Sequence, residues 1–463
     1  MIRIFKQYIP RHFILLVLAE ALICVAAMYA GKEFRFSLYK STTFKGDLTI
    51  TALLFAAVMI SSMTAMGLYQ RRARNDSAGT IVRVVSSFLV AVLVMSLVFY
   101  SFPDLFLGRG AFGFAVLFAL IGVLIARFLF MNLAGQEALK RRILVLGTGQ
   151  HAKHIADMGV DPKRYGFRVV GFLKLPGEES VLSEDKYIRQ GTALSSVVAS
   201  NDVDEIVVAL DDRRIGLPLH EILDWKMRGV EIVDLATFFE KEAQMLKLEA
   251  MHPSWMIFSD GFNGGLLTDS AKRGFDLFAS SLLLAVSWPF MLGTAIAILI
   301  ESGIKAPILY RQYRVGQHGK PFQVLKFRSM RVDAEKDGVA RWAQQNDDRV
   351  TRVGRVIRAT RLDELPQIFN VWRGEMSFVG PRPERPEFVE ELRKAIPYYE
   401  ERHRVKPGIT GWAQLCYPYG ASVEDALRKL EYDLYYVKNH NIFLDFIILL
   451  QTAEVILWRV GSR

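Results

Sequence analysis

At 463 residues the chain is long enough for two or three domains. It is 51% apolar with a formal net charge of +10, which points to membrane segments and to anionic lipid or phosphate-bearing ligands. Two cysteines, Cys24 and Cys416, are too few for a disulfide framework or a cysteine metal site, and no basic motif with interleaved aromatics argues for nucleic acid.

Four apolar runs come first, at 13–30, 48–69, 84–102 and 111–130. Each approaches the twenty or so residues that cross a bilayer as a helix. Residues 1–138 are therefore expected to form a four-helix transmembrane region. Arg3, Lys6 and Arg11, then Arg71, Arg72, Arg74 and Arg83, then Lys140, Arg141 and Arg142 flank the runs on what the positive-inside rule makes the cytoplasmic side. Lys32, Arg35, Lys40 and Lys45 weigh the other way. Arg127 is expected to snorkel to the cytoplasmic edge. The first run lacks a small-residue cleavage site, so no cleavable signal peptide is expected.

Residues 139–245 read as a Rossmann-like cytoplasmic domain. Ile143-Leu144-Val145-Leu146 runs into Gly147-Thr148-Gly149-Gln150 and a helical stretch, the order of a dinucleotide-binding turn. Strands at 169–172, 205–210 and 231–233 alternate with helical stretches, which supports a parallel sheet. The acid that would hold a ribose after the second strand is missing, since Phe172-Leu173-Lys174 stands there, so the glycines alone are weak evidence for a nucleotide. Asp211 and Asp212 follow a strand, where such sheets bind ligands, or form a solvated turn. His151 and His154 read as surface helix residues.

Residues 246–268 read as a linker, whose Trp255, Met256, Ile257 and Phe258 face either a membrane surface or a neighbouring domain. The next apolar run, 282–300, is long enough to span and contains Ser287-Trp288-Pro289. Proline removes a backbone donor and kinks a helix, and a nearby serine can satisfy the freed carbonyl. Segments on either side of Gly316-Gln317-His318-Gly319 read as a β-hairpin, residues 333–348 as a helix plus loop. The apolar stretch 442–458 either lies on a membrane or packs into a core.

Between Arg349 and Arg382 two adjacent carboxylates, Asp363 and Glu364, follow Arg352, Arg355, Arg358 and Arg361. On a helix that spacing lets neighbouring arginines share a face but not all four. Pro366 suits a first turn, so Thr360 or Asp363 is expected to cap a helix over 366–372. A helix N-terminus favours an ionised carboxylate nearby. An ionised Asp beside cations can attack phosphorus, and a second carboxylate can hold Mg²⁺. The spacing also fits a capped surface helix with solvated charges.

Six motifs then add up: Lys272-Arg273-Gly274-Phe275-Asp276, Tyr310-Arg311-Gln312-Tyr313-Arg314-Val315-Gly316, Lys326-Phe327-Arg328-Ser329-Met330, Leu362-Asp363-Glu364-Leu365-Pro366-Gln367, Met376-Ser377-Phe378-Val379-Gly380-Pro381-Arg382-Pro383 and Lys406-Pro407-Gly408-Ile409-Thr410-Gly411-Trp412. In this order they resemble the bacterial sugar transferase family, the polyprenyl-phosphate hexose-1-phosphate transferases or monotopic phosphoglycosyl transferases. The N-terminal half resembles the large membrane-anchored members, in the branch associated with exopolysaccharide and exosortase-type systems.

The resemblance implies an α+β catalytic domain over 269–463 with a re-entrant membrane helix at about 278–303, broken at Ser287 and Pro289, on the cytoplasmic face of the bacterial inner membrane. It implies transfer of a sugar-1-phosphate from a UDP-sugar to undecaprenyl phosphate, with Asp363 as nucleophile, Glu364 holding Mg²⁺, and UMP released. Arg358 and Arg382 would clamp phosphate oxygens, Lys326 and Arg328 would extend the anion site or be exposed strand charges, and Lys272 and Arg273 would meet lipid phosphate. The Rossmann-like segment leaves a homodimer open. Ser329, Arg361 and Phe378 depart from the commonest family pattern without touching the carboxylates, and Arg361 bears on substrate choice. Two rival readings are a non-catalytic membrane scaffold or regulator of polysaccharide assembly, and a glycosyltransferase that moves the sugar alone and releases UDP.

Overall fold

A computed structural model describes residues 2–4, 7–9, 11–39, 47–69, 77–134, 140–159, 165–188, 194–212, 216–251, 253–262, 265–303, 306–332, 349–417, 420 and 422–458. Residues 333–348, expected as a helix plus loop, lie outside these, as do Arg71, Arg72 and Arg74. Apart from a few N-terminal residues the chain divides into two compact units, Tyr8–Pro253 and Ser254–Arg463.

In the first unit two short strands, β1 (Ile2–Ile4) and β2 (Gln7–Ile9), precede four apolar helices, α1 (Arg11–Tyr39), α2 (Leu48–Ala65), α3 (Ser77–Ser101) and α4 (Arg109–Ala134). The four expected runs are these helices, and α1 continues past its run to take in Lys32 and Arg35. Cys24, Met28, Phe55, Met59, Phe88, Met95, Phe112 and Ala115 pack between them. Leu22, Leu93 and Leu97 point outward and are exposed, a pattern that suits a lipid-facing surface.

Arg127 does not snorkel. It is buried and paired with Glu20, which is fully buried. Its Nε lies 2.8 Å from Glu20 Oε1, its Nη2 donates to Oε2 at 3.1 Å and its Nη1 to the Leu68 carbonyl at 3.1 Å. The Tyr69 hydroxyl donates to the same carboxylate. The acid inside α1 supplies a counter-charge that the apolar pattern of α4 alone did not advertise. Removing one partner strands a buried charge. Glu20→Ala is therefore expected to cost about 3–5 kcal/mol, read as a lowered unfolding temperature in detergent. Glu20→Ala with Arg127→Leu should recover part of the loss.

The rest of the unit is a five-stranded parallel sheet, β3 (Arg141–Leu146), β4 (Phe167–Leu173), β5 (Tyr187–Ile188), β6 (Glu205–Val208) and β7 (Glu231–Asp234), in the order β5-β4-β3-β6-β7. This is the doubly wound order, whose ligand position is the switch point between β3 and β6. Helix α5 (Gln150–Gly159) follows β3, with α6 (Leu194–Asn201), α7 (Leu219–Met227) and α8 (Leu235–Ala243) after the later strands. At the switch point Asp211 lies in an exposed bend and is also bonded to the turn ahead of α5. Its Oδ2 accepts from the Gln150 N–H at 2.7 Å and its Oδ1 from the His151 N–H at 2.9 Å. Glu178 accepts from the Thr148 N–H at 2.8 Å. A side chain at Gly149 would place its Cβ 2.2 Å from Asp211 Oδ2, so the missing side chain lets that carboxylate close on the turn. Both histidines lie on helix α5, partly exposed, and each has a partner: His151 Nδ1 lies 3.0 Å from the Leu210 carbonyl, and His154 Nε2 lies 2.6 Å from Glu249.

The stretch expected as a linker is not one throughout. Leu246, Leu248 and Met251 are buried, and the division between units falls after Pro253.

The second unit opens with α9 (Pro253–Phe258), where Trp255 stacks under Lys438 at 4.0 Å while Ile257 and Phe258 are exposed. Helix α10 (Leu266–Ser302) runs for 37 residues with Pro289 inside it, a length of about 55 Å at 1.5 Å per residue. The expected interruption at Ser287 and Pro289 is thus not a gap in the helix, and Ser287 Oγ turns to Met291 Sδ at 3.8 Å. An antiparallel hairpin follows as expected, β8 (Leu309–Val315) with β9 (Pro321–Phe327), in register Leu309↔Phe327 through Val315↔Pro321. Then come α11 (Arg352–Ala359), α12 (Gln367–Arg373), β10 (Ser377–Val379), α13 (Pro386–Ala395), β11 (Gly408–Thr410), α14 (Trp412–Cys416), α15 (Val423–Asn439) and α16 (Ile442–Trp458), with β10 and β11 paired in parallel. Leu444, Asp445 and Ile448 of α16 are buried, so that helix contributes to the unit's core.

Candidate active site

Asp363 and Glu364 lie on a single 3-10 turn, Leu362–Glu364, between α11 and α12. Thr360 and Asp363 do not cap α12. Thr360 ends α11, whose N-cap is Thr351, and Pro366 precedes α12 with no side-chain cap bond. Arg361, directly before the turn, holds φ +59°, a left-handed conformation uncommon for a residue with a side chain and frequent at functional turns. Gly354 lets α11 lie flush on the end of β9, since a Cβ there would sit 1.9 Å from the Ser329 carbonyl oxygen. That approach carries Arg358 inward, where its Nε donates to Ser329 Oγ at 2.8 Å. Arg352 and Arg355 point outward.

Asn370 fixes the other side. It is fully buried, accepts from the Leu325 N–H at 3.0 Å and donates to the Gln323 carbonyl at 2.7 Å. This locks α12 to β9 and holds Lys326 over the turn. Lys326 Nζ donates to Glu364 Oε1 at 3.1 Å, Arg382 Nη2 donates to the same oxygen at 2.8 Å, and Arg361 Nη1 lies 3.8 Å from Oε2.

The two neighbouring carboxyls are pushed in opposite directions. Burial would raise Glu364, but Arg382, Lys326 and Arg361 outweigh it and hold the carboxyl far below its ordinary value. Asp363 is raised, first by burial and then by the Glu364 charge, against the pull of Lys326, Arg358 and Arg382. The helix N-terminus expected to depress Asp363 does not prevail, because the side chain is buried beside a like charge. Burial also pulls Lys326 below its ordinary value, with Glu364 opposing and Arg382 adding to the shift. Glu364→Gln should therefore lower the Asp363 pKa, and the acid limb of whatever activity remains should move to lower pH. A pH–rate profile on the variant checks the sign.

Arg382 sits on a braced loop. Arg402, buried, donates from Nη2 to the Arg382 carbonyl at 2.9 Å and from Nη1 to the Tyr399 hydroxyl at 2.8 Å, and its guanidinium is 2.8 Å from Asp433. Arg314 donates to the next carbonyl, that of Pro383, at 3.1 Å. Arg314, Asn370 and Arg402 were not singled out from the sequence. Arg314 lies in one of the quoted motifs, while Arg402 and Asn370 carry no local signal, because their partners are distant in the chain.

The remaining expected residues have other surroundings. Arg328 is buried with its two terminal nitrogens unpaired among the described residues. Lys272 donates to Asp445 at 2.5 Å, to the Tyr436 hydroxyl at 3.1 Å and to the Val379 carbonyl at 3.2 Å. Arg273 donates to the Val371 and Trp372 carbonyls at 2.5 and 2.7 Å. The last two tie α10 to α16, β10 and the C-terminal end of α12, rather than standing free for lipid headgroups.

Among the described residues no cluster of three or more His, Cys, Asp or Glu side chains could hold a metal. Two adjacent carboxylates do suit Mg²⁺, which is usually held by one or two of them together with substrate phosphates. Glu364 Oε1 is already shared by two cations, which leaves Oε2 and Asp363 as the oxygens that fit it.

Buried Asp363 and its neighbour Glu364, enclosed by a lysine and arginines, form a site that suits an anionic ligand, on a unit that carries an apolar helix of membrane-spanning length. Residues 267–459 match the family model described as bacterial sugar transferase, and residues 64–216 the model described as CoA-binding domain. The chain belongs to the bacterial sugar transferase family. It is similar to a UDP-N-acetylgalactosamine-undecaprenyl-phosphate N-acetylgalactosaminephosphotransferase of Aeromonas hydrophila, 46% identical over 192 residues, 42% of this chain and 45% of that one. It is 32% identical over 374 residues to a UDP-glucose:undecaprenyl-phosphate glucose-1-phosphate transferase of Xanthomonas campestris pv. campestris, 75% of this chain and 74% of that one. It is 29% identical over 405 residues to an undecaprenyl-phosphate galactose phosphotransferase of Salmonella typhimurium, 81% of this chain and 80% of that one. Several other matches, like the Aeromonas one, take in only about half of the relative's own length, 54% and 59% in two cases.

Proposed function

We propose that the chain transfers a sugar-1-phosphate from a UDP-sugar to undecaprenyl phosphate, releasing UMP, as the priming step of exopolysaccharide synthesis. The observation that carries this reading is Asp363, a buried carboxyl beside a second carboxylate and within the field of Lys326, Arg358 and Arg382. An Asp363 oxygen forms a bond to the sugar-bearing phosphorus, and the bond from that phosphorus to the UMP oxygen breaks. The cations offset the charge that gathers on UMP as it leaves. An oxygen of the lipid phosphate then bonds to the same phosphorus, the Asp363–phosphorus bond breaks, and the carboxylate is restored. Arginine forks at 358 and 382 match phosphate oxygens. Mg²⁺ held by Glu364 and Asp363 would add charge neutralisation on the phosphates.

The membrane reading is part of the proposal. Four helices of spanning length would place both the N-terminus and the sheet domain on the cytoplasmic side of the bacterial inner membrane. A proline inside α10 would let that helix enter and leave on one face, which keeps the site with nucleotide-activated donors. The relatives' names carry three different sugars, so similarity alone selects none.

The test is nucleotide release by the detergent-solubilised protein with undecaprenyl phosphate, Mg²⁺ and a panel of UDP-sugars. UMP formed with one donor, and stopped by EDTA, is the expected result and names the sugar. UDP in its place would mean transfer of the sugar alone. No release with any donor would return the chain to a scaffold role.

A further inference from the structure

Glu301 carries the wrong charge for its place in its own helix. It is the penultimate residue of α10, whose last turn holds no basic residue. A helix C-terminus bears partial negative charge and disfavours an acid. The carboxylate turns instead to the first turn of α11, where the helix charge has the favourable sign. Its Oε1 accepts from the Arg352 N–H at 2.8 Å and from the Val353 N–H at 3.2 Å, and its Oε2 from the Val353 N–H at 3.3 Å.

The first N–H groups of a helix have no partner within it. In α11 those of Arg352 and Val353 go to Glu301, that of Gly354 to Thr351 Oγ1 at 2.9 Å, and that of Thr351 to the Ser329 carbonyl at 3.1 Å. With eight residues the helix is too short to be stable by itself and depends on such outside partners. Ile298, one turn before Glu301 on the same face of α10, shares a buried cluster with Ile357, which Val353 and Leu362 join. The end of α10 and the helix ahead of the acid turn are thus held by a polar clasp beside an apolar seam. Arg358 stands at the far end of α11, where its Nε donates to Ser329 Oγ.

We infer that Glu301 is a positioning residue for Arg358. It seats α11 and, through that helix, sets where the Arg358 guanidinium stands, without touching a reacting atom itself. The inference rests on the reading above that Arg358 clamps a phosphate oxygen of the donor.

UDP is the probe, since it carries both donor phosphates whatever the sugar and has no sugar to transfer. Its dissociation constant is measured by calorimetry on the detergent-solubilised full chain. Glu301→Ala is expected to weaken UDP about tenfold, and Arg358→Ala by about tenfold or more. The double variant should bind UDP as Arg358→Ala does, because the clasp then has no guanidinium to place. Glu301→Gln keeps an oxygen acceptor at the same reach and should bind within about threefold of the unsubstituted protein. Arg352→Pro deletes one of the bonded N–H groups at a first helical position that suits proline, and should weaken UDP about threefold relative to Arg352→Ala. A tenfold loss from Glu301→Ala that persists in the Arg358→Ala background would make Glu301 a general support of the fold and overturn the inference, as would an unmoved affinity in Glu301→Ala. Exchange of labelled UMP into the UDP-sugar tests the transferase reading separately. Its absence beside an intact coupling would sink that reading alone, and its presence without the coupling would sink this inference alone. No binding of UDP by the unsubstituted protein would overturn both.

Discussion

Asp363→Asn is expected to lower transfer by at least about a thousandfold and to abolish exchange of labelled UMP into the UDP-sugar. An amide of the same shape cannot form the aspartyl–phosphorus bond, so both half-reactions stop together. The fold should not suffer. Asp363 is buried beside the Glu364 carboxylate, and both features already raise its pKa. A neutral amide removes a like-charge repulsion, so thermal unfolding should occur at the same temperature or slightly higher. Exchange that survives in Asp363→Asn would remove the covalent mechanism while leaving the site's affinity for anions intact.

Arg382→Ala has the second largest expected effect, a fall of about 10²–10³ in kcat/KM, the usual cost of one donor aimed at developing charge. Arg382 is the strongest of the cations holding Glu364 ionised, so its loss acts on stability as well. A carboxyl held below its unfolded value contributes stability that is present above about pH 4.3 and fades as the pH falls. Without Arg382 that contribution shrinks, and the acid-unfolding midpoint should move to higher pH. Arg382→Lys keeps the charge but loses the planar fork, and should recover the acid midpoint more fully than the rate. Equal recovery of both would mean that charge alone is what the site requires.

The parts legible in the sequence were those with a local period or a local motif. Four apolar runs became α1 to α4, the glycine turn fell between β3 and α5, and the Gly316–Gly319 segment joined β8 to β9. Asp363, Glu364, Lys326 and Arg382 were found as a group because three of the six short motifs contain them, and the fold brings these four to one turn. What stayed hidden depends on residues far apart in the chain. Arg127 read as a lone charge because Glu20 lies more than a hundred positions away. Lys272 read as a headgroup ligand because nothing local announces Asp445 in a helix whose other residues are mostly apolar. The cap of α12 was misplaced because the arginine run broke off at a left-handed Arg361 and left a separate 3-10 turn for the acids. Burial likewise decided the direction of the Asp363 shift, and burial cannot be read from a charged, turn-like stretch.

The carboxylate of Asp211, from the loop after β6, caps the first turn of α5. The N–H groups of Gln150 and His151 are the ones a phosphate would use, and they are engaged. The two acids at this turn differ in how firmly they are held. Glu178 is buried, whereas the Asp211 side chain keeps 40% of its surface in solvent. The loop after β6 and the turn after β3 are thus tied across the switch point of the sheet by side chain rather than by strand pairing. Asp211→Ala would leave those two N–H groups without this acceptor, and the sheet domain should unfold at a lower temperature.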